Sequence, residues 1–88
     1  MTKIKGLVRG RVQNVGFRAF VRAHAVEHKV LGRAINLPDG RVEVVLAGEE
    51  DGIEKVKKAV AKGPVLSRVD AVVWNPFIGE LEERFVIG

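Results

Sequence analysis

The chain contains no cysteine. Without thiols there is no disulfide framework, no thiolate metal site and no cysteine nucleophile. Tyrosine is absent as well, and Ser67 is the only serine, so neither a serine hydrolase nor a tyrosine nucleophile is supported. No apolar run approaches the ~20 residues that a membrane-spanning helix needs. Met1-Thr2-Lys3 leads straight into alternating residues, without the apolar stretch of a signal peptide. These absences fit a cytoplasmic protein, and that location is expected. Linkers, low-complexity stretches and internal repeats are missing too. A chain of 88 residues buries only a little over ~60% of its unfolded surface, enough for one compact core. One domain over residues 1–88 is therefore expected.

Acidic residues are scarce in the first half. Residues 1–41 hold nine basic residues against Glu27 and Asp39, a net +7, whereas residues 42–88 hold six basic and nine acidic ones, a net −3. The first half is suited to meet an anion.

Residues 3–12 alternate, with Ile4, Val8 and Val12 on one side and Lys3, Lys5, Leu7, Arg9 and Arg11 on the other, as in a half-buried strand. Residues 17–29 switch to helical spacing through Phe17, Phe20, Val21 and Ala25. A second strand over 32–37, the turn Pro38-Asp39-Gly40 and a third strand over 41–47 read as a hairpin. Glu49-Glu50-Asp51 opens a second helix, Ile53, Val56 and Val60 mark its buried face, and Lys62-Gly63-Pro64 ends it. A fourth strand over 67–74 turns either Val69, Ala71 and Val73 or Val72 and Trp74 inward, and residues 84–87 form a short last strand. The order β-α-β-β-α-β with a short fifth strand implies an α+β, ferredoxin-like sandwich: two helices on one face of a mostly antiparallel sheet. That fold alone decides no chemistry.

The informative segment is Gly10-Arg11-Val12-Gln13-Asn14-Val15-Gly16-Phe17-Arg18. It joins a strand to a helix N-terminus, where main-chain N–H groups lack intrahelical partners and favour an anion. Asn14 and Gly16 best tolerate left-handed angles, which turn successive N–H groups inward as a nest. Arg18, in the first helical turn, is placed to fork around two oxygens of the same anion. The plain alternative is an ordinary loop with a solvated arginine. No Gly-Lys-[Ser/Thr] phosphate loop and no Gly-x-Gly-x-x-Gly fingerprint is present. His24 and His28 stand one helical turn apart, but with only Glu27 beside them they read as a helix face, so no metal and no cofactor is expected.

Residues 10–18, followed by Gly32-Arg-Ala-Ile-Asn-Leu-Pro-Asp-Gly-Arg-Val-Glu43, resemble the acylphosphatase family along the whole chain. The resemblance implies the same sandwich fold and the hydrolysis of carboxyl–phosphate anhydrides by direct attack of water, without metal or covalent intermediate. It places the family's catalytic arginine on Arg18 and its catalytic asparagine on Asn36, with Asn14, Val15, Gly16, Phe17 and Arg18 binding substrate. Inorganic phosphate is then product and inhibitor, and a monomer with no nucleic-acid or membrane partner is expected. Read alone, Asn36 would be an asparagine shaping the Asn-Leu-Pro-Asp-Gly turn. Two departures stand out: Asn14 where the family usually has glycine, and Arg33 where tryptophan is common, which would alter the surface beside the site. Rival readings are an anion- or nucleic-acid-binding module without turnover, or a domain like that of carbamoyl-transferring maturation enzymes. The first and third strands carry no aromatic to stack bases.

Overall fold

A computed structural model describes residues 1–88. The elements are β1 (Thr2–Arg11), α1 (Phe17–Glu27), β2 (Leu31–Asn36), β3 (Val42–Gly48), α2 (Glu50–Lys62), β4 (Arg68–Pro76) and β5 (Phe85–Ile87). They form a five-stranded sheet in the order β4-β1-β3-β2-β5, antiparallel except where β5 runs parallel to β2. This is the ferredoxin-like sandwich with its short terminal strand.

The core lies between the sheet and the two helices. Val8, Ala34, Val42, Val44, Leu46 and Phe85 meet Phe17, Val21 and Ala25 of α1 and Ile53, Val56 and Val60 of α2. The alternation of β1 and the helical stripes thus converge on one apolar layer, whose area removed from water drives the packing. Helix α1 stops at Glu27, short of the expected residue 29. His28 caps it and Lys29 turns left-handed at φ 58°. The tail 28–30 instead bonds back to the last turn, His28 N–H to the His24 carbonyl at 3.1 Å and Val30 N–H to the Ala25 carbonyl at 2.8 Å.

Strand β4 answers neither simple alternation. Val69, Val72 and Trp74 all pack against the core, whereas Val73 is exposed. The reason is a bulge: Arg9 pairs with Ala71 and Gly10 with Val69, which leaves Asp70 as an extra residue. One inserted residue reverses the side-chain alternation beyond it. Gly10 makes the bulge feasible, because at φ 134° an added Cβ would stand 2.0 Å from the Arg68 carbonyl oxygen.

The segment after β4 returns across the open sheet face. Phe77 N–H donates to the Lys3 carbonyl at 3.1 Å, and Lys3 Nζ donates to the Gly79 carbonyl at 2.9 Å. Arg33, expected beside the site, belongs to this open face. It pairs with Glu43 at 3.0 Å and lies 5.3 Å from the centre of the Phe77 ring. The alternation of β2 sends Arg33 to the open face and Ala34 to the helix side, so Arg33 anchors the crossing segment instead of bordering the site.

Candidate active site

The loop between β1 and α1 is shaped by two left-handed residues, Asn14 at φ 62° and Gly16 at φ 76°. Gly16 occupies the N-cap position, and its carbonyl accepts the Phe20 N–H at 3.0 Å. No side chain caps the helix, and no acidic residue sits in its first turn. Most helices satisfy their first N–H groups with a Ser, Thr, Asp or Asn oxygen. Here those of Phe17, Arg18 and Ala19 remain directed outward at the positive end of the helix dipole. Phe17 anchors the arrangement, its ring fully buried in the core.

These donors open on a pocket of about 160 Å³ lined by Val12, Asn14, Gly16, Phe17, Arg18, Ala19, Asn36 and Ile87. Asn14, Gly16, Phe17, Arg18 and Asn36 are therefore brought together. Val15 is the exception among the expected binding residues: its side chain packs against the core, so only its main chain faces the loop.

Asn36 ends β2. Its main-chain N–H donates to the Gly88 oxygen at 3.2 Å, while its side-chain Oδ1 is buried and accepts no hydrogen bond from any protein group. The adjoining turn is held by other groups. Leu37 N–H donates to the Arg41 carbonyl at 2.9 Å, and the Asp39 carboxylate accepts the Arg41 N–H at 3.1 Å. That main-chain hydrogen bond, joined by the Arg41 guanidinium and partly opposed by desolvation, holds the Asp39 carboxyl below its ordinary range. An amide oxygen without a protein partner is costly to bury and recurs where a ligand or solvent group completes it.

Gly88 links the two halves of the site. Its oxygen accepts from Asn36 N–H and from Arg18 Nη1, and its own N–H donates to the Ala34 carbonyl at 3.0 Å. Arg18 is thus steadied through one nitrogen, and its remaining donors make no hydrogen bond to the protein.

Sequence reasoning missed Gln13. Its Nε2 donates to the carbonyls of Leu37 at 2.9 Å and Arg41 at 3.0 Å. One side chain therefore pins the anion loop to the hairpin that carries Asn36. The signal was present, since Gln13 stands inside the informative segment, but its partners lie 24 and 28 residues away. Ile87 and Gly88 were missed for the same reason.

A wider depression of about 740 Å³, lined by Arg9, Asp39, Arg41, Arg68 and Asp70 among others, lies elsewhere. Its charges are largely spent on one another: Arg41 pairs with Asp39 at 2.8 Å and Arg68 with Asp70 at 2.9 Å. Hydrogen bonding and attraction from Arg68, against a smaller desolvation effect, hold Asp70 below the usual carboxylate range, and Asp70 raises Arg68 in turn. The smaller pocket has the uncapped helix, the half-engaged guanidinium and the unpartnered amide oxygen, and it is the candidate site.

Fold and pocket together define an α+β sandwich whose strand–loop–helix junction has the donors that suit a tetrahedral oxyanion. The acylphosphatase family model matches residues 4–87. An acylphosphatase of Thermus thermophilus is 49% identical over 72 residues, covering 82% of each chain. An acylphosphatase of Thermobifida fusca is 45% identical over 87 residues, covering 93% of this chain and 96% of that one. The solved acylphosphatase of Coxiella burnetii superposes with a TM-score of 0.91 at 36% identity, over 99% of this chain and 92% of that one. The chain belongs to the acylphosphatase family.

Proposed function

We propose that the protein hydrolyses acyl phosphates to a carboxylate and inorganic phosphate in the pocket between the β1–α1 loop and Asn36. It is an enzyme, a hydrolase of carboxyl–phosphate anhydrides, as family membership and the fold both support. The observation that carries the mechanism is the unpartnered Asn36 Oδ1 in the same pocket as Arg18 and the uncapped helix end.

Phosphoryl transfer passes through a loose transition state, so positioning and charge stabilisation supply most of the catalysis. The main-chain N–H groups of residues 14–18 and the free donors of Arg18 hold the three phosphoryl oxygens. Asn36 accepts a hydrogen bond from the attacking water and sets its line of approach. Asparagine is no base at neutral pH, so the role is alignment. The water oxygen bonds to phosphorus as the bond to the acyl oxygen breaks. The carboxylate departs with that electron pair and needs no proton from a general acid. One proton of the water ends on the phosphate, which leaves as the monobasic ion.

On this reading no metal takes part, phosphate inhibits as a product, and the chain acts as a monomer without nucleic-acid or membrane partners. One core running through sheet and helices supports residues 1–88 acting as one unit. A cytoplasmic location fits the lack of cysteine, and no helix is long and apolar enough to cross a membrane. The experiment is turnover of an aryl acyl phosphate with and without chelator. Unchanged turnover with competitive phosphate inhibition is expected. A rate lost in chelator and restored by Mg²⁺ would refute the metal-free mechanism, and no turnover at all would refute the function.

A further inference from the structure

We infer that His24, Glu27 and His28 form a binding site for a borderline divalent cation such as Zn²⁺, at the end of α1 opposite the anion pocket. Read from the sequence, the histidine pair lacked a clear third ligand. In the fold, one ligand atom from each of the three residues lies within 4.8 Å of the other two. Residues at i, i+3 and i+4 share one helix face. Two imidazoles and a carboxylate match a three-ligand zinc site with its fourth position open to water.

The surroundings favour a cation. The three residues occupy the last helical turn and its cap, where the helix dipole is negative. The backbone between them is fixed, since the His28 N–H bonds to the His24 carbonyl and the Val30 N–H to that of Ala25. The Phe20 ring packs on the His24 imidazole, centroids 4.6 Å apart and planes tilted by 59°, which limits the ring's freedom before any ion arrives. The first turn of α2 abuts this end, with a Cβ added at Gly52 only 2.7 Å from the His28 carbonyl oxygen. That turn carries Glu50 and Asp51. Glu27 is exposed and free to swing into the tighter spacing of a bound ion, about 3.3 Å between ligand atoms.

The site is separate from the chemistry. His24 stands six positions and His28 ten positions beyond Arg18, so the helical rise alone separates them by roughly 9–15 Å. An ion here clips the last turn of α1 and leaves the anion pocket untouched.

The test is a calorimetric titration of the full chain, freed of metal by chelation, with Zn²⁺ at about pH 7.5. One saturable 1:1 event is expected, with Cu²⁺ binding more tightly and Mg²⁺ not at all. Glu27→Gln should weaken binding about tenfold. His28→Ala should weaken it beyond the roughly 10–100-fold cost of losing an outer partner. His24→Gln, which keeps the packing on Phe20, should do the same. The imidazole NMR signals of His24 and His28 should shift together in the parent chain, a readout that needs no variant. Melting in chelator should be the same for all three variants, and the parent midpoint should rise by on the order of 10 °C at hundredfold excess over Kd. Absence of saturation, equal affinity in His28→Ala, or shifts confined to one imidazole would overturn the site. Unchanged affinity in Glu27→Gln would overturn the three-ligand assignment.

Discussion

Replacing Asn36 by alanine separates a catalytic role from a structural one, because the two predict opposite changes. The side-chain Oδ1 is buried and accepts nothing from the protein. A buried polar atom in that state costs about 1–3 kcal/mol. Removing it relieves that cost, and the lost packing of one short, half-buried side chain offsets only part of the gain. Asn36→Ala should therefore melt at the parent temperature or a few degrees above it, at roughly 4–8 °C per kcal/mol for a domain of this size. The hairpin should survive, since its bonds run through Leu37, Asp39 and Arg41. Turnover should fall about 10²–10³-fold, the scale of a lost transition-state hydrogen bond. Phosphate affinity and KM should hardly move, because ground-state binding rests on the loop and Arg18. Asn36→Asp keeps the shape but brings a negative charge to the phosphoryl group, so it should weaken phosphate binding as well. The measurements are thermal midpoint, kcat, KM and phosphate affinity for both variants. An Asn36→Ala protein that is destabilised by more than about 1 kcal/mol yet fully active would refute the reasoning and return the residue to the turn.

Arg18→Lys should not restore the activity lost in Arg18→Ala, since an ammonium cannot hold Gly88 and fork across two phosphoryl oxygens together; steady-state rates within tenfold of the parent would contradict this. Gln13→Ala should cost about 1–2 kcal/mol in urea unfolding by removing two hydrogen bonds. It should also raise KM and lower kcat together, because the loop and Asn36 lose their common anchor; unaltered kinetics would remove Gln13 from the site. Asp39 and Asp70 have lowered pKa values, so their contribution to stability is complete above the ordinary carboxylate range and is lost as pH falls through the lowered values. Urea midpoints measured down the pH scale should therefore show the Asp39→Asn and parent curves converging only in acid. Convergence near neutral pH would sink that assignment.

The succession of elements was legible in the residues because periodicity is a local property. Ile4, Val8 and Val12 declare a strand, Phe17, Val21 and Ala25 a helix, and Pro38-Asp39-Gly40 a turn, each within a short window. The shape of the β1–α1 loop was legible for a related reason: Asn14 and Gly16 mark left-handed backbone, and Arg18 places charge in the first helical turn. The role of Asn36 was reached through resemblance, since an asparagine before a proline turn has an adequate local explanation. Only the tertiary structure showed that its Oδ1 meets no protein donor. The bulge at Asp70 depends on the pairing between β1 and β4, so the inward set Val69, Val72 and Trp74 could not be chosen from β4 alone. Arg33 went to the open face, and Gln13 tied the β1–α1 loop to the β2–β3 hairpin, only once the chain had folded. In each case the deciding partner is distant in sequence or set by side-chain direction, and short-range patterns carry no record of either.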